Sequence, residues 1–324
     1  MLKTARSRPL TDGRSLLTKA TLSKELSAMW ADRWLYFLIL PSLILVFVFR
    51  YLPIYGVTLA FRFYDPGRGL FGSPWAQPLT YNFWFLQDPE FWRVLVNTLR
   101  ITSAKIIFGF PAPIILAILL NELRGQAYKR VAQTITYLPH FVSWVILAGI
   151  IYAIFDLEPG SPFNALRALV GLEPTNLMGN PGAFVPVVVV SDILRNMGYS
   201  SIIYLAAISG INPELYEAAV VDGARRWKQT WHVTVPCMLP TISVLFILLL
   251  PGILYAGLDQ IYNLMNPATL KIANVTDIYV LRVGLMQGQY AYATALGLVF
   301  GVVQLSLVFV ANALTRRSTG YGLW

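Results

Sequence analysis

The sequence predicts an all-α, polytopic membrane protein of about six transmembrane helices. Of its 324 residues, 56% are hydrophobic and only 13% are charged, with a mean hydropathy of +0.58, well outside the averages of soluble domains. Apolar runs also recur at the length of about 20 residues that a bilayer requires. In hydrocarbon each such run must close its own backbone hydrogen bonds, so it must be helical.

The runs fall at roughly 34–52, 95–120, 135–155, 184–209, 239–262 and 289–313, with Pro41, Pro111, Pro113, Pro186 and Pro251 placed to kink them. Lys and Arg in the intervening segments set the orientation, because positive loops stay cytoplasmic. Fifteen lie in residues 1–33, 121–134, 210–238 and the tail, against six (Arg62, Arg68, Arg93, Arg167, Lys271 and Arg282) in the alternate loops. Both termini are therefore expected in the cytoplasm. The formal charge of +9 reads as membrane topology and attraction to anionic lipid, with no nucleic-acid partner.

Three regions are expected: a basic cytosolic extension at 1–33, a transmembrane domain at 34–313 and a cytosolic tail at 314–324. The extension is too long for a secretion signal and runs into an apolar segment of spanning length with no small-residue cleavage pattern. Leu16, Leu17, Leu22, Leu26 and Trp30 give it a weakly apolar side.

Between the fourth and fifth runs lies a charged island, Glu217-Ala218-Ala219-Val220-Val221-Asp222-Gly223-Ala224, followed by Arg225, Arg226 and Lys228 and then by Pro236 and Pro240. Asn212 can cap a short helix that has Pro213 at its first position and Glu214 and Glu217 near its positive end. Gly223 should stop or bend that helix. A second short stretch with Trp227 and Trp231 should follow, before the prolines reset the chain toward the next span.

This E-A-A-x-x-D-G-A pattern with its later V-P-x-x-L-P run resembles the EAA loop, at about 210–236, of the membrane subunits of ATP-binding-cassette importers. In that family the loop is the coupling helix that docks in a cleft of a separate ATPase, which implies coupling roles for Glu217, Ala218, Ala219, Asp222, Gly223 and Ala224. The same residues could instead serve close packing and solvation alone. The resemblance runs from about residue 34 onward, through Tyr137–Trp144, Gly210–Tyr216 and Gly257–Leu264, which look like the oligosaccharide branch and, within it, the polysaccharide importers. One candidate is the first permease of an alginate-oligosaccharide importer. The resemblance implies alternating access in an inner-membrane complex of this chain with a second homologous permease, two ATPases and an extracytoplasmic binding protein. ATP and Mg would belong to the ATPases, with no cofactor on this chain.

Signs of catalysis are lacking. Cys237 is the one cysteine, the two histidines His140 and His232 are far apart, and no phosphate-binding G-x-x-x-x-G-K-[ST] loop occurs. Glu217 and Asp222 lie on a solvated loop, a poor setting for acid–base work. An ion-coupled secondary transporter or a membrane-embedded enzyme is the alternative, and it leaves the charged island unexplained.

Polar residues at membrane depth are costly and tend to face a cavity or a partner. Three groups are candidates for a solute pathway: His140, Ser143 and Trp144 on one helical face; Asp192, Asn196 and Tyr199 at i, i+4 and i+7; and Asp259, Gln260 and Asn263. Aromatic faces, amides and carboxylates suit sugar rings and hydroxyls, although helix-to-helix hydrogen bonding would use the same residues. Arg195 could attract an anionic sugar or pair with Asp192 on its own helix. Arg100 and Lys105 pose the same choice in the second span. Ala293, Gly297 and Gly301 form a small-residue stripe, expected to serve internal packing. Residues 53–93 and 156–183 are long outward segments that suit a binding protein, although Trp75, Trp84 and Trp92 suit an interfacial belt equally well.

Overall fold

The computed structural model describes Trp30, residues 33–158 and residues 160–323. Most of the basic extension therefore lies outside the described residues. Contacts divide the chain into two units, one ending at Val57 and one starting at Thr58. From Arg33 to Val57 no residue is buried, and large apolar side chains such as Trp34, Phe37, Leu43 and Phe49 are exposed all round. A helix apolar on every face is stable in lipid, not in water. It forms the start of α1, Arg33–Phe61, with a wide π-type turn at Phe47–Tyr51.

The second unit contains α2 (Pro89–Glu122), α3 (Gln126–Phe141), α4 (Trp144–Phe155), α5 (Pro181–Ser209), α6 (Pro213–Val221), α7 (Arg226–Leu254), α8 (Leu258–Leu264) and α9 (Tyr290–Thr319). The helices α1, α2, α7 and α9 are long and apolar enough to cross a bilayer, and α3 with α4 qualifies as a pair bent by 103°. The 29-residue α5 is about 44 Å long at 1.5 Å per residue. It is less apolar because Asp192, Arg195 and Asn196 occupy its middle. The six predicted spans thus each have a helix or a bent pair.

Caps set the helix starts. Asp88 Oδ1 accepts from the Glu90 N–H at 2.8 Å ahead of Pro89, and Asn180 Oδ1 accepts from the Gly182 N–H at 2.8 Å ahead of Pro181. Each proline occupies a position whose N–H would have no helical partner. Inside α2, Pro111 cannot donate, and the turn before it widens to the π form over Lys105–Gly109.

Two apolar clusters lie at the spans' ends away from the charged island. One joins Ile101, Ile151, Phe184, Val188, Ile261 and Leu264; the other joins Phe85, Phe91, Leu254, Tyr279, Tyr292 and Phe300. A third, nearer the charged island, joins Ala117, Leu120, Tyr204, Ile208 and Met238. The backbones of α5 and α3 meet at Gly198, where an added Cβ would fall 1.9 Å from the Thr136 carbonyl oxygen of α3. Only a residue without a side chain fits there.

Two sequence expectations about helix arrangement are corrected. The fifth span begins at Arg226 and ends at Leu254, so Asp259, Gln260 and Asn263 sit on the separate α8. The chain leaves the helix at Tyr255, which is extended (φ −131°, ψ 117°), and Gly257 at φ +96°, a conformation that favours glycine, re-aims it into α8. The small-residue stripe is not close packing: Cβ atoms at Gly297 and Gly301 would meet nothing within 4 Å, and Ala293 alone makes a tight contact, with Gly284.

The long segments 53–93 and 156–183 are ordered by polar clasps. Arg62 Nη1 donates to the carbonyls of Phe71 (3.1 Å) and Ser73 (2.7 Å), while its guanidinium lies 4.3 Å over the Trp75 ring. Trp84 packs on Tyr292, and Trp92 Nε1 donates to the Leu86 carbonyl at 3.0 Å. Asn266 Nδ2 donates to the Met178 carbonyl at 2.8 Å, and Tyr152 Oη donates to the Leu264 carbonyl at 2.9 Å.

Candidate functional site

The charged island folds as a helix, a tight reversal and a second helix. Asn212 Oδ1 accepts from the Glu214 N–H at 3.1 Å, Pro213 follows, and α6 runs to Val221. Its end is a Schellman turn: the Ala224 N–H donates to the Ala219 carbonyl (2.8 Å) and the Gly223 N–H to the Val220 carbonyl (2.9 Å), with Gly223 at φ +73°. The second short stretch expected before Pro236 and Pro240 is the first part of α7, and neither proline separates it from the span. A π-type turn at Thr230–Thr234 absorbs the first, and α7 continues through both to Leu254.

This element is anchored at few points. Tyr216 Oη and Thr234 Oγ1 are 3.0 Å apart, Gln229 Nε2 donates to the Ala224 carbonyl at 2.8 Å, and Arg226 pairs with Glu122 at the end of α2 at 3.4 Å. Glu217, Ala218, Asp222 and Gly223 are exposed, and Ala219 and Ala224 are half-buried. Around them Val221 is 87% exposed and Trp227 72%, with Trp227 and Trp231 edge to face at 5.8 Å. Apolar side chains so exposed, on a helix pair rimmed by charge, form a surface built for contact.

A second polar centre forms where α2, α5 and the α7–α8 break meet. Lys105 Nζ donates to the Ala256 carbonyl at 2.7 Å, makes a short bond to Gln260 Oε1 and pairs with Asp192 at 3.7 Å. Gln260 is 1% exposed, and its Nε2 donates to the Val188 carbonyl (2.7 Å) and Ser191 Oγ (3.0 Å). Asp277 Oδ2 accepts from the Ala256 N–H at 2.7 Å and the Gly257 N–H at 3.3 Å. Burial pushes the Asp277 carboxyl up, while these backbone donors and Lys105 pull it back down.

On the next turn of α5, Asn196 Nδ2 donates to Asp192 Oδ1 at 3.0 Å, and Asn196 Oδ1 lies 3.1 Å from His140 Nδ1. His140 stacks on Tyr199 with centroids 4.1 Å apart and planes within 2°. Arg195 Nε donates to the Val142 carbonyl at 3.1 Å and Nη1 to Asn196 Oδ1 at 3.3 Å, and its guanidinium covers Trp144 at 4.8 Å.

A cavity of about 660 Å³ opens beside these residues, walled by Lys105, Phe110, Asp192, Asn196, Tyr199 and Tyr255 among others. Three of the predicted pathway residues, Asp192, Asn196 and Tyr199, thus reach one wall, as their i, i+4, i+7 spacing requires. The expected shared face of His140, Ser143 and Trp144 is absent, because the chain turns by 103° between α3 and α4. There Ser143 caps α4, its Oγ accepting from the Ile146 N–H at 3.4 Å, while His140 and Trp144 meet α5 separately. The Arg195–Asp192 pairing is likewise not formed: Lys105 takes the carboxylate, and Arg195 reaches back to Val142. Asn263 donates to the Asp259 carbonyl at 2.7 Å within α8, away from that wall. Arg100 is exposed. Asp277 and Ser191 were missed, since nothing in a single sequence ties them to Ala256 or Gln260. Among the described residues no cluster of His, Cys, Asp and Glu could hold a metal.

Residues 109–320 match the family described as binding-protein-dependent transport system inner membrane component. The protein LplB of Bacillus subtilis (strain 168) is 39% identical over 299 residues, covering 92% of this chain and 93% of that one. The polygalacturonan/rhamnogalacturonan transport system permease protein YteP of the same organism is 36% identical over the full length of both chains. Among solved structures, a bacterial alginate ABC transporter crystallised with an alginate pentasaccharide-bound periplasmic protein has a matching chain. It shows a TM-score of 0.80 and 37% identity, covering 92% of this chain and 99% of that one.

Proposed function

The chain belongs to the family of binding-protein-dependent transport system inner membrane components, and on that premise we propose that it is half of the pathway through which an ATP-driven importer moves an acidic oligosaccharide inward. It is a transporter subunit and not an enzyme, as its relatives are named permeases. The observation that carries the coupling assignment is the exposed α6–α7 element, with Val221 and Trp227 in water beside Glu217 and Asp222. A solitary carrier has no use for so large a water-facing apolar surface. A separate ATPase supplies its cover, ATP and Mg, with Glu217, Ala218, Ala219, Asp222, Gly223 and Ala224 at the joint.

The remaining partners are a second permease that completes the cavity, a second ATPase and an extracytoplasmic binding protein, in a bacterial inner membrane with both termini cytoplasmic. Asp192, Asn196 and Tyr199 face the solute. Ser143, Asp259 and Asn263 shape the helix ends around the pathway, while His140, Trp144, Arg195 and Gln260 support its wall. The acidic class rests on the solutes named for two relatives, alginate and polygalacturonan. Both cations near the wall are engaged internally, so recognition of a carboxylated sugar falls largely to the binding protein.

The test is ATP hydrolysis by the complex reconstituted in liposomes with its binding protein, screened with alginate and galacturonate oligomers, neutral oligosaccharides and peptides. Stimulation by uronate oligomers is expected. Stimulation by neutral sugars alone would remove the acidic assignment, and transport by this chain without an ATPase would remove the importer.

A further inference from the structure

Each interrupted helix in this chain leaves backbone carbonyls without helical partners, which lipid cannot satisfy. Two such breaks flank α5. At the α3–α4 break the Val142 carbonyl accepts from Arg195 Nε at 3.1 Å. At the α7–α8 break the Ala256 carbonyl accepts from Lys105 Nζ at 2.7 Å. In both places a cation from a neighbouring helix closes the gap.

The two cations are themselves joined. Arg195 Nη1 donates to Asn196 Oδ1 (3.3 Å), Asn196 Nδ2 donates to Asp192 Oδ1 (3.0 Å), and the same oxygen pairs with Lys105 at 3.7 Å. An unbroken polar chain therefore runs from one helix break to the other through a single turn of α5. His140 buttresses it at Asn196 Oδ1, and Asp277 pins the amide side of the second break.

We propose that this run from Val142 through Arg195, Asn196, Asp192 and Lys105 to Ala256 is one strut that makes the two breaks move as a single hinge during transport, with Asn196 its central positioning residue. The breaks are the points where these helices can bend with least loss of helical bonding, and movement at one must carry or rupture the strut. The proposal rests on the importer reading. Spatial continuity alone does not establish coupling, so the decisive evidence is whether both ends respond together.

The experiment places nitroxide pairs across each break, at Ile135 with Ile150 and at Leu248 with Tyr262, in a chain with Cys237→Ala, assembled with its ATPase in nanodiscs. Pair distances are measured by pulsed electron resonance without nucleotide and after ATP–vanadate trapping. With the strut intact, both pairs are expected to shift on trapping. In Asn196→Leu, which leaves each cation on its own carbonyl, one shift is expected to be lost while the other survives. Asp192→Ala, removing the oxygen that joins Asn196 to Lys105, should separate the shifts in the same way and stands in if the leucine variant does not assemble. Concerted shifts in both variants, or a shift at only one break with the strut intact, would overturn the strut. An ATPase that fails to copurify with the otherwise native chain would overturn the importer reading and the inference with it.

Discussion

Gly198 and the Thr136 carbonyl oxygen are in direct backbone contact, leaving 1.9 Å for any Cβ. In an open helix, Gly→Ala gains up to about 1 kcal/mol. Here overpacking against rigid backbone costs about 1–3 kcal/mol, so the sign reverses. Gly198→Ala is expected to lower the unfolding temperature in detergent. Gly301→Ala, with open space around it, should not. Equal temperatures for both variants would show that α3 and α5 do not pack as described.

At the reversal between α6 and α7, Gly223 holds φ +73°, which proline, fixed near −65°, cannot reach. Gly223→Pro and Glu217→Lys should each uncouple solute-stimulated ATP hydrolysis in the reconstituted complex while membrane insertion continues. Copurification of the ATPase separates lost assembly from lost signalling. Normal stimulation in both variants would remove the assigned role of α6.

Asp277 accepts two backbone N–H groups at the α7–α8 break. Asp277→Leu leaves both donors unpaired, each at a cost of about 1–3 kcal/mol, and Asp277→Asn keeps one acceptor oxygen. Thermal unfolding should therefore rank native above Asn above Leu. A leucine variant as stable as the native chain would mean that water already serves those amides.

Arg62 holds two carbonyls and a tryptophan face at once, a geometry that the point charge of lysine does not reproduce. Arg62→Lys is expected to speed limited proteolysis within residues 63–75 severalfold without changing assembly. Unchanged cleavage would place the order of this loop elsewhere.

Much of this architecture is legible in the sequence because hydropathy and short-range spacing carry it. The spans, the Asn212 cap and the Gly223 reversal are local, as is the Asp192–Asn196–Tyr199 face. The α7–α8 break is not, since Pro251 through Tyr262 is apolar enough to pass for the end of a span, and only the backbone angles, extended at Tyr255 and φ +96° at Gly257, reveal it. The partner of Lys105 is equally hidden: Ala256 lies 151 positions away and contributes a backbone carbonyl, which has no residue-type signature. Arg195 misled for a related reason. The i, i+3 spacing from Asp192 allows a pair on one helix, but the 103° turn after α3 presents a bare carbonyl that competes better.

That turn also bears on the surrounding lipid. Arms set at 103° cannot both lie along the membrane normal, so α3 and α4 together cross less hydrocarbon than their summed length implies. At 1.5 Å per residue, the 16 positions of Gln126–Phe141 reach about 24 Å, short of a typical core of about 30 Å. An arm of that length suits a thin bilayer better than a thick one, so lipids of longer acyl chain are expected to strain the bend between α3 and α4 and shorter ones to relax it.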